Sequence, residues 1–185
     1  MGKLSVFNFI TLNGFYKGEN NDTSWHQHGS GEEGEFAAEG AKSDSILLFG
    51  RVTYEMMASF WPTPAALQSM PEVANGMNAS EKIVFSKTLK STNWQNSRII
   101  SGNIIEETKK LKENTKKDLT ILGSGSITSQ FADAGLIDLY MFMLDPLALG
   151  KGTPIFNGVK QQVNLKLENT RTFKSGRILL TYQKA

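Results

Sequence analysis

The chain has 185 residues, 39% of them hydrophobic and 21% charged, with a formal net charge of +2. That length suits one domain with a full core, residues 1–185, and so small a net charge gives no reason to make nucleic acid the main partner. The absence of cysteine excludes disulfides, thiolate metal sites and cysteine nucleophiles, and it fits a reducing compartment. Met1 to Ile10 lacks a long apolar stretch, so the expectation is a cytoplasmic protein with no signal peptide and no membrane partner.

Leu4 to Thr11 reads as the first strand, rich in β-branched and aromatic residues. It ends at Leu12-Asn13-Gly14-Phe15-Tyr16, where Asn-Gly signals a turn. A long polar loop follows from Lys17 to Gly31, and loops of that length in a small domain are often functional. Trp25 and His26 lie in it, either covering a pocket or, for Trp25, plugging the loop onto the core. His26-x-His28 has a spacing that metal sites use, but no further ligands accompany it, and a solvated loop is the reading adopted, with no metal. Glu32 to Ser43 reads as a helix with acids in its first turn and a small-residue face at Ala37 and Gly40-Ala41. Ser45 to Phe49 is the second strand, running through Gly50-Arg51-Val52-Thr53 into a helix that carries Met56, Met57 and Phe60. Trp61-Pro62-Thr63-Pro64 is read as the end of that helix.

A short helix is expected over Glu72 to Asn78, and a third strand over Lys82 to Phe85, stopping at Ser86-Lys87-Thr88. Arg98 to Ser101 reads as a fourth strand and Ile104 to Asn114 as an amphipathic helix with Ile104, Ile105, Thr108 and Leu111 inward. The basic clusters around Lys109 and Lys116 are interleaved with glutamates and read as a solvated face. Thr120-Ile121-Leu122 is a buried strand that meets Gly123-Ser124-Gly125-Ser126, and Ile127, Phe131 and Ala134 then recur at helical spacing up to a stop at Gly135. Such a turn either cradles phosphate on unpaired N–H groups or is simply a tight strand-to-helix turn. It departs from the dinucleotide fingerprint, with Thr128 where a third glycine belongs. Asp145, which precedes Pro146, is given little weight as a ribose ligand. Ile137 to Leu144 is a further strand, Pro146 to Pro154 a glycine-rich loop, and Val163 to Phe173 with Arg177 to Gln183 a hairpin through Lys174-Ser175-Gly176.

This order describes an α/β domain with a mostly parallel central sheet and an antiparallel C-terminal hairpin at its edge. Ligands in such sheets bind beyond the carboxyl ends of the strands. Three ends, Gly50-Arg51, Ser86-Lys87 and Gly123-Ser124-Gly125, carry groups suited to anions, and one polyanionic ligand is more economical than three unrelated turns.

Taken together, several stretches resemble the dihydrofolate reductase-like superfamily, and more closely the reductase domain of the bifunctional deaminase–reductase of riboflavin biosynthesis and its stand-alone relatives. They are Val6 to Gly14, Trp25-His26, Leu48 to Glu55, Val84 to Leu89, Leu122 to Gly125, Gly135 to Tyr140, and Pro146 to Gly152. The resemblance implies a three-layer fold with helices on both faces, NADPH as cofactor, and a homodimer. It also implies reduction of a small heterocyclic substrate, pterin-like or ribosylaminopyrimidine-like; a nucleotide-binding module that has lost reduction is the alternative. By the same resemblance Gly50, Arg51 and Thr53 contact phosphates, Ser86 and Lys87 form the 2′-phosphate site, and Gly123, Ser124, Gly125 and Ser126 hold the pyrophosphate. Leu12, Asn13 and Gly14 would line the nicotinamide, although the family pattern has aspartate where this chain has Asn13. For catalysis it offers Glu33 as the first-helix acid, Trp25 as pocket wall and His26 as proton donor. Acids at that helix start also serve simply to offset the dipole.

Overall fold

Short apolar runs become strands and amphipathic stretches helices in a computed structural model that describes residues 1–27 and 31–185. In chain order the elements are β1 (Leu4–Thr11), β2 (Phe15–Lys17), α1 (Glu32–Ala41), β3 (Ile46–Gly50), α2 (Arg51–Phe60), α3 (Pro64–Ser69), α4 (Pro71–Ala79), β4 (Lys82–Phe85) and β5 (Ser97–Ile100). They continue with α5 (Ile104–Asn114), β6 (Leu119–Leu122), α6 (Gly125–Asp133), β7 (Leu139–Asp145), β8 (Thr153–Pro154), β9 (Leu165–Thr172) and β10 (Ile178–Lys184). The fold is α/β, with an eight-stranded, mostly parallel sheet and an antiparallel C-terminal hairpin. Among the described residues no helix is long and apolar enough to cross a membrane.

The chain divides into two units, Met1–Gly2 with His28–Thr120, and Lys3–Gln27 with Ile121–Ala185. In the first, β3 and β4 are parallel with Gly50 opposite Phe85, and β4 is parallel to β5. All four residues of β4 are buried, as its unbroken apolar run Ile83-Val84-Phe85 requires, but the fourth is Lys82. Its Nζ donates to the carbonyls of Met77 at 2.7 Å, Asn78 at 3.3 Å and Ser80 at 2.6 Å, closing the C-terminal end of α4. The same ammonium lies 4.5 Å from the Trp94 ring centroid, and burial pulls it down to about 8. Helices α1 and α4 meet backbone to backbone: a Cβ on Gly76 would run into the Ala41 carbonyl.

Several limits in this unit differ from the sequence reading: β3 runs from Ile46 to Gly50 and not from Ser45 to Phe49, α4 from Pro71 to Ala79 and not from Glu72 to Asn78, and β5 from Ser97 to Ile100 and not from Arg98 to Ser101. Helix α2 ends at Phe60, just before Trp61-Pro62-Thr63-Pro64 as expected, but Pro64 also begins an unexpected helix, α3, where Thr63 caps the first turn by accepting from Ala66 N at 3.2 Å. The helix expected from Glu32 to Ser43 stops at Ala41. By contrast α5 has the expected limits, because Asn103 Oδ1 accepts from Ile105 N and Glu106 N at its start.

In the second unit β1 and β7 are parallel, with Thr11 opposite Asp145, and β10 runs antiparallel to both β7 and β9. Phe15–Lys17, at the entry to the long polar loop, pairs with Thr153–Pro154 in a small antiparallel ribbon, followed within the loop by a 3-10 turn at Glu19–Asn21. Gly135, at φ +63°, ends the helical run after α6 as expected.

Candidate active site

In the first unit the parallel register brings two of the three expected anion-binding strand ends side by side. Gly50 and Phe85 are partners, so Arg51 leaves β3 where Ser86 leaves β4. Helix α2 begins at Arg51 with no side-chain cap, since Gly50 has no side chain to offer. The Arg51 guanidinium is exposed and bridges to Glu55 Oε2 at 2.8 Å. An exposed i,i+4 pair is worth only about 0.3–0.5 kcal/mol, so it is readily exchanged for a phosphate. Ser86 Oγ accepts from Thr88 N at 3.2 Å and Leu89 N at 2.9 Å, so the serine builds the turn that presents Lys87. Lys87 is exposed and Thr53 half-buried, while Glu33 stands half-buried in the first turn of α1.

The second unit builds a different kind of site around His26. Its ring stacks on Phe9, centroids 3.5 Å apart, and meets Trp25 edge-on at 6.0 Å. Nδ1 lies 2.8 Å from Asp145 Oδ2. The other carboxylate oxygen accepts from Arg177 Nε at 2.6 Å, and Arg177 Nη2 reaches the Gln27 carbonyl at 2.9 Å. Asp145 is 2% exposed, and the side chains of His26 and Arg177 only 7% and 13%. Burial alone would push the Asp145 carboxyl up, but the hydrogen bonds and charges of His26 and Arg177 outweigh it and hold the group below its ordinary value. Trp25 is half-buried, and its Nε1 is a buried donor with no acceptor among the described residues. His28, the other half of the His-x-His pair, lies outside the described residues.

The glycine turn also belongs to this unit. Ser124 and Gly125 are buried and Ser126 is exposed. A Cβ on Gly125 would lie 2.5 Å from Tyr16 Cζ, so the close approach that glycine permits here is made by the Tyr16 ring. Gly123, at φ +68°, donates from its N–H to the Phe7 carbonyl at 3.1 Å. Asn13 works as a bracket between the end of β1 and the loop after β7. Its Oδ1 accepts from Thr11 Oγ1 at 2.7 Å and Leu149 N at 3.2 Å, and its Nδ2 donates to Leu149 O at 2.7 Å. An aspartate has no proton to give that carbonyl, which accounts for asparagine here. Gly14, at φ +81°, turns the chain into β2.

Asp145 and Arg177 were missed as site residues. The one available signal was a carboxylate ending an apolar strand before proline, and nothing local joins it to a histidine 119 positions away or an arginine 32 positions away.

The model of the RibD C-terminal domain matches residues 3–179. The chain is 34% identical over 173 residues to the uncharacterized protein YyaP of Bacillus subtilis, covering 94% of this chain and 90% of that one. Among solved structures, a putative riboflavin biosynthesis protein from Shewanella sp. PV-4 superposes with a TM-score of 0.76 at 18% identity, covering 99% of each chain. Dihydrofolate reductase from Enterococcus faecalis, complexed with NADP(H) and RAB-propyl, superposes at 0.65 with 17% identity over 99% of this chain and 96% of its own. The fold is therefore one that reductases use.

Proposed function

This chain belongs to the RibD C-terminal domain family, and from that membership and its donor set we propose an NADPH-dependent reductase that transfers a hydride to a small heterocyclic substrate, pterin-like or ribosylaminopyrimidine-like. The observation that carries the reading is the pair of adjacent strand ends in the first unit, where Gly50 stands opposite Phe85 and Arg51, Ser86 and Lys87 follow. An uncapped helix N-terminus, an exposed guanidinium and an exposed lysine make a donor set that fits phosphate groups. The NADP(H) held by the Enterococcus enzyme and the riboflavin pathway named for the Shewanella protein support the cofactor and the substrate class.

When bound, NADPH supplies a hydride from its nicotinamide ring. In the first unit Arg51, with Gly50 and Thr53, would hold phosphate oxygens, and Ser86 with Lys87 would take the 2′-phosphate. Glu33 would serve there as the acid that binds a heterocycle edge. In the second unit Asn13 and Gly14 would shape the nicotinamide side, and Gly123, Ser124, Gly125 and Ser126 would take pyrophosphate once the Tyr16 ring moves aside. Trp25 Nε1, which has no acceptor among the described residues, would donate to a substrate heteroatom. His26 would supply the proton.

Calorimetric titration with NADPH and NADH tests the reading. NADPH is expected to bind more tightly, Arg51→Ala to weaken it about 10–100-fold through a lost charge-assisted contact, and Lys87→Ala to bring the two cofactors toward equal affinity. Failure of the folded protein to bind either cofactor would overturn the proposal. Cofactor binding with no oxidation across pterin and ribosylaminopyrimidine substrates would instead identify a nucleotide-binding module.

A further inference from the structure

We infer that Asp145 is the positioning residue of the proton donor: held by Arg177, it keeps the proton of the His26 imidazole on Nδ1 and leaves Nε2 as the nitrogen that exchanges a proton with substrate. The inference rests on the reductase reading for its catalytic meaning, and on the second unit's geometry alone for the state of the histidine.

Each oxygen of the carboxylate is used by a different partner. Oδ1 takes Arg177 Nε at 2.6 Å and Oδ2 faces His26 Nδ1 at 2.8 Å. An ionised carboxylate only accepts, so the atom 2.8 Å from it must carry a hydrogen, whether the imidazole is neutral or charged. Arg177 is itself fixed, through Nη2 on the Gln27 carbonyl, and Gln27 is the residue after His26. The guanidinium therefore steadies both the carboxylate and the backbone that carries the imidazole. Phe9 stacked on the ring at 3.5 Å sets its plane, leaving rotation about the ring axis as the freedom that the carboxylate removes. Carboxylate, imidazole and stacking surface come from β7, the polar loop and β1, whose register places Asp145 beside Thr11 at the strand ends.

Reduction of a C=N bond consumes one hydride, which NADPH supplies, and one proton. The Nε2–H bond of the imidazolium breaks and its proton joins the substrate nitrogen. The neutral imidazole that remains keeps its Nδ1 proton against Asp145, and water restores the other.

Asp145→Asn gives a sharp test because Arg177 dictates how the amide sits. The guanidinium offers only donors, so the amide oxygen must face Arg177 and the NH2 must face His26. Nδ1 then becomes an acceptor and the proton moves to Nε2, the opposite tautomer. The chain has two histidines, so His28→Gln leaves His26 as the single imidazole in a 15N-labelled protein. Nitrogen NMR of the neutral ring is expected to show Nδ1–H in the parent and Nε2–H after Asp145→Asn. Nε2–H in the parent, or the same tautomer in both, overturns the inference. Should the variant fail to fold, the parent spectrum alone decides. If substrate turnover is found, Asp145→Asn is expected to lower kcat by about 100-fold or more with KM little changed, a split that loosened structure would not produce. A parent with the Nδ1–H tautomer and no reductase activity would leave the positioning intact and sink the reductase reading instead.

Discussion

Lys82→Met is expected to lower stability by about 2–4 kcal/mol, measured as a shift in the urea midpoint at unchanged slope. Two effects oppose one another at this site. Removing the ammonium relieves the burial that pulls it down to about 8. It also takes a donor from the carbonyls at the end of α4: Asn78 O keeps Gln95 Nε2 and Asn96 Nδ2, each at 3.1 Å, but the carbonyls of Met77 and Ser80 lose their bond to Lys82, and each buried carbonyl left without a partner costs about 1–3 kcal/mol. Two such losses exceed the relief of one desolvation, so the variant loses. The pH dependence follows from the depressed value. The unfolded chain holds this proton up to about 10.4, the folded chain only to about 8, so between those values the unfolded state binds more protons and stability rises with pH. The Met variant is expected to lack that alkaline rise. A variant as stable as the parent across the range would show the ammonium to be dispensable.

Asp145→Ala is expected to cost about 3–5 kcal/mol at neutral pH, since it takes the carboxylate from a guanidinium that is only 13% exposed. Acid should narrow the gap. The folded carboxyl titrates below its ordinary value, so as pH falls through and below about 4 the unfolded chain binds this proton first and the parent loses the stabilisation that the variant never had. Urea midpoints of both proteins at neutral pH and in acid test this. A gap that is constant with pH would mean the carboxylate is not held ionised by His26 and Arg177.

How far these features can be read from the chain depends on the distance over which each is specified. Strand β4 and helix α5 have the expected limits because their signals are local: an apolar run that breaks at Ser86, and an Asn103 cap ahead of an amphipathic stretch. The stretch Trp61 to Pro64 marks the end of α2 as expected, but α3 was missed because proline both ends helices and opens them, and the deciding partner was the Thr63 hydroxyl. The β2–β8 ribbon has three residues on one side and two on the other, too few for any periodicity to register. That Arg51 and Ser86 follow adjacent strand ends was legible because parallel strands put their carboxyl ends on one edge. The partners of His26 were not, since an ion cluster assembled from β7, a hairpin and a loop leaves no trace in the spacing of its members.

The pairing of β1 with β7 bears on synthesis. Leu4 leaves the ribosome 134 positions ahead of Asp138, yet its N–H bonds to the carboxylate of that residue. Its neighbour β7 in turn waits for β10, and the buried Asp145 for Arg177, which follows 32 positions further on. Nascent β1, with Val6, Phe7 and Phe9, must therefore stay unpaired from β7 until the 134 positions that separate the paired residues have been synthesised. Contacts of such long range slow folding and leave an apolar strand open to wrong partners in the meantime. Expression at low temperature, or with chaperones that shield extended apolar segments, is thus expected to raise the yield of native protein more than any change made to its surface.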